Sequence, residues 1–446
     1  MRRRISAAPV LAGERRLTAR WLEALLPFSL TGDQRRAVSA IDRSLAQPSP
    51  MQTLLMGEVG SGKTVLALYA MLRAVEHGCQ GALMAPTETL AEQHFATIQR
   101  LMPGEVIAIG LLSGSTPARR RADLLGKLAT GECSLVVGTH ALIESTVRFA
   151  RLGVAVVDEQ HRFGTRQREL LRGKSASARP HFLAMTATPI PRSLALALYG
   201  EMALSTLDEL PPGRTPVATA VVNPDQREQA YELVRREVQA GRQAFVICPL
   251  IEESESSEAR AATAEFERLR TKIFPDLRLA LVHGRLKDKD EVMRRFKARE
   301  SDVLVATAVV EVGVDVPNAT VMLIEGAERF GLAQLHQFRG RVGRGSAQST
   351  CLLLAEEPSS KSMERLNLLA HEHNGFRLAT EDMRLRGAGE LMGARQHGMS
   401  DLAMEGLGRP ELLSEVRQEA ERVLESADAE LLREAARRRL EQTAIS

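Results

Sequence analysis

The stretch Thr53-Leu-Leu-Met-Gly57-Glu-Val-Gly-Ser-Gly-Lys63-Thr64-Val-Leu-Ala-Leu68 decides the fold. A short apolar run over 53–56, bounded by a glycine turn, predicts a buried strand. The apolar run over 65–76 predicts a helix directly after it. Between them Gly57, Glu58, Val59, Gly60, Ser61, Gly62, Lys63 and Thr64 complete a GxxxxGK[ST] spacing in the strand–loop–helix context that the pattern requires. Glycines let successive backbone N–H groups turn inward around a phosphate, and the helix start adds its positive end. Lys63 then reaches the terminal phosphates, and Thr64 ligates magnesium.

Outward from this loop, apolar runs at 82–85, 135–137, 154–157 and 181–185 alternate with helical patterns at 90–101 and 119–130. Such βαβ alternation predicts a parallel sheet covered on both faces. Leu210-Pro-Pro-Gly-Arg-Thr-Pro216 cannot continue a helix and reads as a connector. Beyond it the alternation restarts, with strands at 217–222, 244–248, 279–282, 303–306, 321–324 and 351–354 and helices at 226–239 and 288–299. The fold class is therefore α/β: two tandem parallel-sheet domains with a nucleotide cleft between them, plus a helical C-terminal extension. The expected boundaries are an N-terminal remnant or linker over 1–25, domains over 26–208 and 209–360, and an extension over 361–446. Within the extension, 410–442 reads as an amphipathic helix or helix pair that packs against the second domain.

Composition excludes other classes. A chain of 446 residues with 44% hydrophobic content and no apolar run near 18 residues describes neither a single small domain nor a membrane protein. Arg2, Arg3 and Arg4 precede no apolar stretch, so a secretory signal does not fit and a cytoplasmic location is expected. Cys79, Cys133, Cys248 and Cys351 lie too far apart for a metal-binding pair or a disulfide framework. The net charge of +3 announces no polyanionic partner, so that reading must come from motifs.

A phosphate loop alone hydrolyses nothing. Val154-Ala-Val-Val-Asp158-Glu159-Gln160-His161 sets two adjacent carboxylates at the end of a buried strand. Asp158 is suited to hold magnesium through water and Glu159 to polarise the attacking water. Gln337-Phe-Arg-Gly-Arg341-Val-Gly-Arg344 brings positive charge from the second domain, so Arg341 and Arg344 complete the site when the domains close and turnover becomes motion. Thr186-Ala-Thr188-Pro-Ile-Pro-Arg192 offers hydroxyls that link the nucleotide site to the opposite domain. Pro86-Thr87-Glu-Thr-Leu-Ala-Glu-Gln-His94 and Gly138-Thr139-His140 follow strand ends and suit sugar-phosphate contact.

Taken in order, these strings resemble the helicase motifs of superfamily 2 and most closely the RecG family, from about Leu25 to Leu402. The wording is RecG-like in Leu26-Pro-Phe28-Ser-Leu-Thr-Gly-Asp-Gln34, Asp158-Glu-Gln-His-Arg-Phe-Gly164, Asp208-Glu-Leu-Pro-Pro-Gly-Arg-Thr215 and Glu328-Arg-Phe-Gly-Leu-Ala-Gln-Leu-His-Gln337. The resemblance implies two RecA-like domains, ATP and Mg2+ as cofactors, and ATP-driven translocation on double-stranded or branched DNA in recombination and repair of stalled forks. It implies that Phe28 and Gln34 contact adenine, that Asp315 joins the nucleotide set, and that Gln337 joins the catalytic set. His283, Gly284 and Thr307 are assigned to DNA with Thr87, Thr139 and His140. Glu381-Asp-Met-Arg384-Leu-Arg386-Gly-Ala-Gly-Glu-Leu-Met-Gly-Ala-Arg395-Gln396-His-Gly398 resembles the translocation motif shared with the transcription-repair coupling factor. Arg384, Arg386, Arg395 and Gln396 would then touch phosphates without reading bases.

One departure stands out. RecG proteins carry an N-terminal wedge domain, and residues 1–24 are too few for an oligonucleotide-binding barrel. A fragment, a truncated product or a shortened relative is expected, acting as a monomer, with a wedge-bearing segment in trans as a candidate partner. The alternatives are a non-motor, nucleotide-gated DNA-binding remnant and a coupling-factor-type duplex translocase.

Overall fold

A computed structural model describes residues 7–13, 15–102, 107–175, 178–188, 191, 194–195, 202–209, 216–249, 255–286, 288–307, 316–343, 345 and 347–386, with isolated positions 415, 419, 422 and 423. Its first sheet holds β1 (Gln52–Gly57), β2 (Gln80–Met84), β3 (Ile109–Leu112), β4 (Leu135–Gly138), β5 (Leu152–Val157), β6 (His181–Thr186) and β7 (Ala203–Leu207), in the order β3-β4-β2-β5-β6-β1-β7. The second holds β8 (Ala218–Val222), β9 (Gln243–Ile247), β10 (Leu279–Val282), β11 (Val303–Ala306), β12 (Ala319–Ile324) and β13 (Thr350–Leu354), in the order β10-β11-β9-β12-β13-β8. Each pairing is parallel. Matched in chain order the two sheets are the same arrangement, with β7 added beyond β1.

Helices cover both faces. The first lobe carries α1 (Arg16–Arg20), α2 (Gly32–Leu45), α3 (Lys63–Glu76), α4 (Glu88–Leu101), α5 (Ala118–Thr130) and α6 (Thr165–Arg172). The second carries α7 (Arg227–Gln239), α8 (Glu255–Arg268), α9 (Lys289–Lys297) and α10 (Leu332–Arg339), followed by α11 (Ser360–His371) and α12 (Gly375–Arg386). Because successive strand side chains point to opposite faces, the near-continuous apolar strands build two cores per sheet. Leu55, Val154, Val156 and Leu183 pack on one face of the first sheet, and Leu54, Met56, Ala155 and Val157 on the other. Phe245 and Ile247 against Ala244 and Val246 repeat the division in the second sheet. The two-domain parallel architecture expected from the alternation is the architecture observed.

Three features depart from the sequence reading. β3 escapes it because Gly110 interrupts a short half-buried edge strand, and β7 because Ala-Leu-Ser-Thr-Leu carries too little apolar character on a sheet edge. Of the segment 1–25, expected as a remnant or linker, the described residues 7–13 and 15–25 are instead part of the first lobe. Leu11 and the fully buried Trp21 enter its core, the Trp21 indole donates to Leu101 O at 2.9 Å, and Leu17 N donates to Glu76 at 2.7 Å. Burial of so large an aromatic side chain outweighs the segment's polar surroundings. The helix expected over 410–442 lies outside the described residues apart from those isolated positions. No described helix is long and apolar enough to cross a membrane.

Candidate active site

The phosphate loop folds as its glycines require. Gly60 and Gly62 take φ values of +84° and +88°, in the left-handed region that L side chains rarely enter. A Cβ on Gly62 would also sit 2.2 Å from Gln34 Nε2. The loop ends at α3, whose first residue is Lys63. The Lys63 ammonium donates to the carbonyls of Gly57 at 2.7 Å and Glu58 at 2.8 Å. Buried beside it, the Ser61 hydroxyl has no hydrogen-bond partner. Inward-turning backbone, an unsatisfied hydroxyl and a lysine folded over the loop form a donor set that fits a phosphate.

Asp158 and Glu159 stand at the end of β5, as the strand pattern implies. Asp158 is buried, and its Oδ2 lies 2.7 Å from His94 Nε2 on α4, whose Nδ1 lies 3.3 Å from Thr64 Oγ1. The imidazole meets the carboxylate through Nε2 and the Thr64 hydroxyl through Nδ1, so one ring spans the two magnesium candidates. Burial pushes the Asp158 carboxyl up, but the His94 hydrogen bond and charge, with Lys63, outweigh it and hold the group below the ordinary carboxylate value. An ionised carboxylate near a hydroxyl fits Mg2+, which takes one or two protein oxygens and completes its shell with water and phosphate. Among the described residues no cluster of three or more His, Cys, Asp or Glu side chains is arranged to hold a metal.

Glu159 differs from its neighbour. Burial first, and then the adjacent Asp158 charge, push its carboxyl above the ordinary value, against Lys63 and Arg341. Its backbone sits at φ +47°, one of two described non-glycine residues in the left-handed region. Backbone strain of this kind gathers at functional positions. Its Oε2 accepts from Thr186 Oγ1 and from Ala187 N, each at 3.4 Å. Thr188 N in turn donates to Thr186 Oγ1 at 3.1 Å, and Thr188 Oγ1 accepts from Gln337 Nε2 on α10 at 2.8 Å. A chain of hydrogen bonds thus runs from the water-polarising candidate across the seam to the second lobe. Arg341, buried just beyond α10, acts electrostatically on Glu159 from the same side.

Other expected residues are placed less centrally. Gln34 closes a capping box with Thr31 and donates to Ser61 O at 2.9 Å, so it braces the phosphate loop from α2. Phe28 is among the exposed large apolar side chains. The Glu58 carboxylate turns away from the loop toward the second lobe, where it accepts from Gly375 N at 2.6 Å. Of the DNA candidates, His140, Gly284 and Arg384 are exposed, and Thr87 and His283 are half-buried. Thr139 and Thr307 are buried under their strand ends, so their hydroxyls do not face solvent. Arg386 ends α12, and nothing is described of its side chain. Arg344, Asp315, Arg395 and Gln396 lie outside the described residues. Sequence reasoning passed over His94 as a link between Thr64 and Asp158; its place one turn and a half into a helix that follows a strand end was the available signal.

The family models that match are "DEAD/DEAH box helicase" over residues 31–196, "Helicase conserved C-terminal domain" over 225–346, and "ATP-dependent DNA helicase RecG, domain 3, C-terminal" over 372–440. An ATP-dependent DNA helicase RecG of Synechocystis is 51% identical over 385 residues, covering 86% of this chain and 46% of the relative. The RecG of Escherichia coli K12 is 47% identical over 398 residues, covering 88% and 57%. The chain spans about half the length of the curated relatives it matches. A solved structure of RecG bound to a three-way DNA junction superposes with a TM-score of 0.79 at 41% identity, covering 91% of this chain and 53% of that one. A Mycobacterium smegmatis helicase Lhr structure, 20% identical with a TM-score of 0.57 over 93% of this chain and 57% of that one, shares the fold alone. With two RecA-like lobes, a phosphate loop facing motif-bearing α10, and this identity along most of its length, the chain belongs to the RecG-like family of superfamily 2 helicases.

Proposed function

We propose that this chain is an ATP-driven motor that moves along double-stranded DNA, branched DNA included, in recombination and the repair of stalled replication forks. The observation that carries this reading is the seam. Lys63, Asp158 and Glu159 lie at one sheet's carboxyl edge; from the other lobe Gln337 reaches them through Thr188, and Arg341 through its charge on Glu159. A site divided between two bodies couples chemistry to their closure.

In this reading the loop from Gly57 to Thr64 wraps the triphosphate, with Phe28, Gln34 and Asp315 toward the nucleoside. Thr64 and Asp158 hold Mg2+, which when bound offsets the charge shared by the β- and γ-phosphates. Glu159, with its raised proton affinity, orients the attacking water and takes its proton. Water oxygen bonds to the γ-phosphorus, the bond to the bridging oxygen breaks, and ADP and phosphate leave. Arg341, with Arg344, stabilises the charge that develops. DNA is tracked by its phosphates, through exposed groups such as His140, Gly284 and Arg384 and through Arg386, Arg395 and Gln396 farther along. The RecG relative whose solved structure holds a three-way junction supports the choice of substrate.

The test is phosphate release with and without duplex or junction DNA. DNA-stimulated release, abolished by Lys63→Ala, is expected; release indifferent to both kinds of DNA overturns the motor.

A further inference from the structure

Glu58 lies in the phosphate loop, yet its carboxylate serves the other lobe. Its Oε1 accepts from Gly375 N at 2.6 Å and lies 3.6 Å from His336 Nε2. Gly375 opens α12 and His336 sits on α10. The pair is closely packed, since a Cβ on Gly375 would stand 2.5 Å from His336 Cε1. One turn along α10, Arg339 donates to Leu369 O at 2.7 Å, Glu372 O at 2.9 Å and His373 O at 3.3 Å, which fixes the end of α11. With that end held, the start of α12 has a local cap, Asn374 Oδ1 accepting from Phe376 N at 2.9 Å and Arg377 N at 3.1 Å, and a tie to the phosphate loop, Glu58.

The same residue touches the nucleotide site through its backbone. Glu58 O accepts from the Lys63 ammonium at 2.8 Å, the group that a triphosphate would draw away. From Gly375, α12 runs to Arg384 and Arg386, at about 1.5 Å per residue, as a rod of three turns. A single residue therefore meets, on its carbonyl, the lysine that nucleotide moves and, on its carboxylate, the helix leading to the segment assigned to DNA.

We infer that Glu58 is a positioning residue that couples occupancy of the phosphate loop to the placement of α12. The inference rests on the motor reading above and deepens it. Coupling of this kind is reciprocal: if nucleotide changes the affinity for DNA by some factor, DNA changes the affinity for nucleotide by the same factor.

The experiment measures that factor on the full chain. Binding of a labelled duplex is titrated with and without a non-hydrolysable ATP analogue, and binding of a fluorescent analogue with and without duplex. Coupling factors are usually roughly 5- to 150-fold. Glu58→Gln keeps an acceptor for Gly375 N and loses the charge facing His336, so the factor falls by about threefold; Glu58→Ala loses both and takes it further toward one. His336→Gln lowers the factor as Glu58→Gln does, and the double variant falls no further. An unchanged factor in Glu58→Ala overturns the inference, as does a weakened analogue affinity with the factor intact, or additive losses in the double variant. Wild-type protein whose phosphate release ignores DNA removes the motor reading itself, a result distinct from a coupled wild type with an indifferent Glu58→Gln.

Discussion

The two lobes build the same place twice and use it differently. Each ends a central strand in an acid and a left-handed residue, Asp158-Glu159 after β5 and Glu325-Gly326 after β12. A short turn with Arg-Phe-Gly follows in both, then a helix capped by Gly164 with Gln167 or by Gly331 with Gln334. Lys63 opens α3 after β1, and Arg227 opens α7 after β8. In the second lobe, however, the acid is already satisfied. Buried Glu325 is ion-paired with Arg227, accepts from Tyr231 Oη at 2.7 Å and lies 3.6 Å from Arg268. The adjoining cavity, of about 540 Å³, is lined by Arg227, Arg268 and Arg329 balanced by Glu265, Glu325 and Glu356, so its lining carries no net positive charge for a triphosphate. Asp158 instead meets His94 and Lys63, with Glu159 strained beside it. Topology supplies the strand-end site, and side-chain pairing decides whether it stays open to a ligand.

Changes that break this contrast are ordered by size. Arg341→Ala lowers kcat roughly a thousandfold or more, with KM little changed, because its charge matters when the transition state forms. Steady-state phosphate release measures it, and a loss confined to KM would return Arg341 to a packing role. Lys63→Ala lowers kcat/KM by roughly a hundredfold or more. Its counterpart Arg227→Ala leaves turnover within the same order of magnitude and lowers the denaturation midpoint instead.

Stability sharpens the same comparison. Glu325→Ala costs about 3 kcal/mol or more in denaturant unfolding, since it strands partners built around a buried charge. Asp158→Asn lowers turnover steeply but costs less stability than Glu325→Ala, because relief of repulsion with Glu159 offsets part of the lost attraction to His94 and Lys63. If both acids prove equally structural, the lobes differ less than their partners imply.

The smallest effect concerns pH. Burial pushes Glu58 up, but the nearby His336, the hydrogen bond from Gly375 N and the Arg339 charge outweigh it and leave the carboxyl below its ordinary 4.5. A depressed carboxyl contributes stability that is present above that ordinary value and lost as pH falls through the lowered one. The gap in thermal midpoint between wild type and Glu58→Gln therefore closes as pH falls below the ordinary 4.5. A gap independent of pH would mean that the ionised carboxylate does not support the contact with Gly375 and His336.

Much of the site was legible in the chain. The phosphate loop reads from spacing alone because its chemistry is local: glycines that permit positive φ, a lysine and a threonine at a helix start. Asp158 and Glu159 read from their place at the end of an apolar strand. Spacing puts Glu58 in the loop but says nothing of its carboxylate, which faces Gly375, far along the chain. His94 escaped for the same reason, as its partners Thr64 and Asp158 belong to two other elements.

By itself, then, the sequence determined what depends on neighbours in the chain: the alternation that makes two parallel sheets, the glycine-rich loop that ends at Lys63, and the acids and arginines placed at strand and helix ends. The tertiary structure alone decided which groups meet across long separations. It set Arg341 against Glu159, Gln337 on Thr188, Trp21 in the first core, and Arg227 on Glu325. The physical reason is that burial and charge pairing are properties of contact in space, and contact between elements is settled when apolar faces pack together.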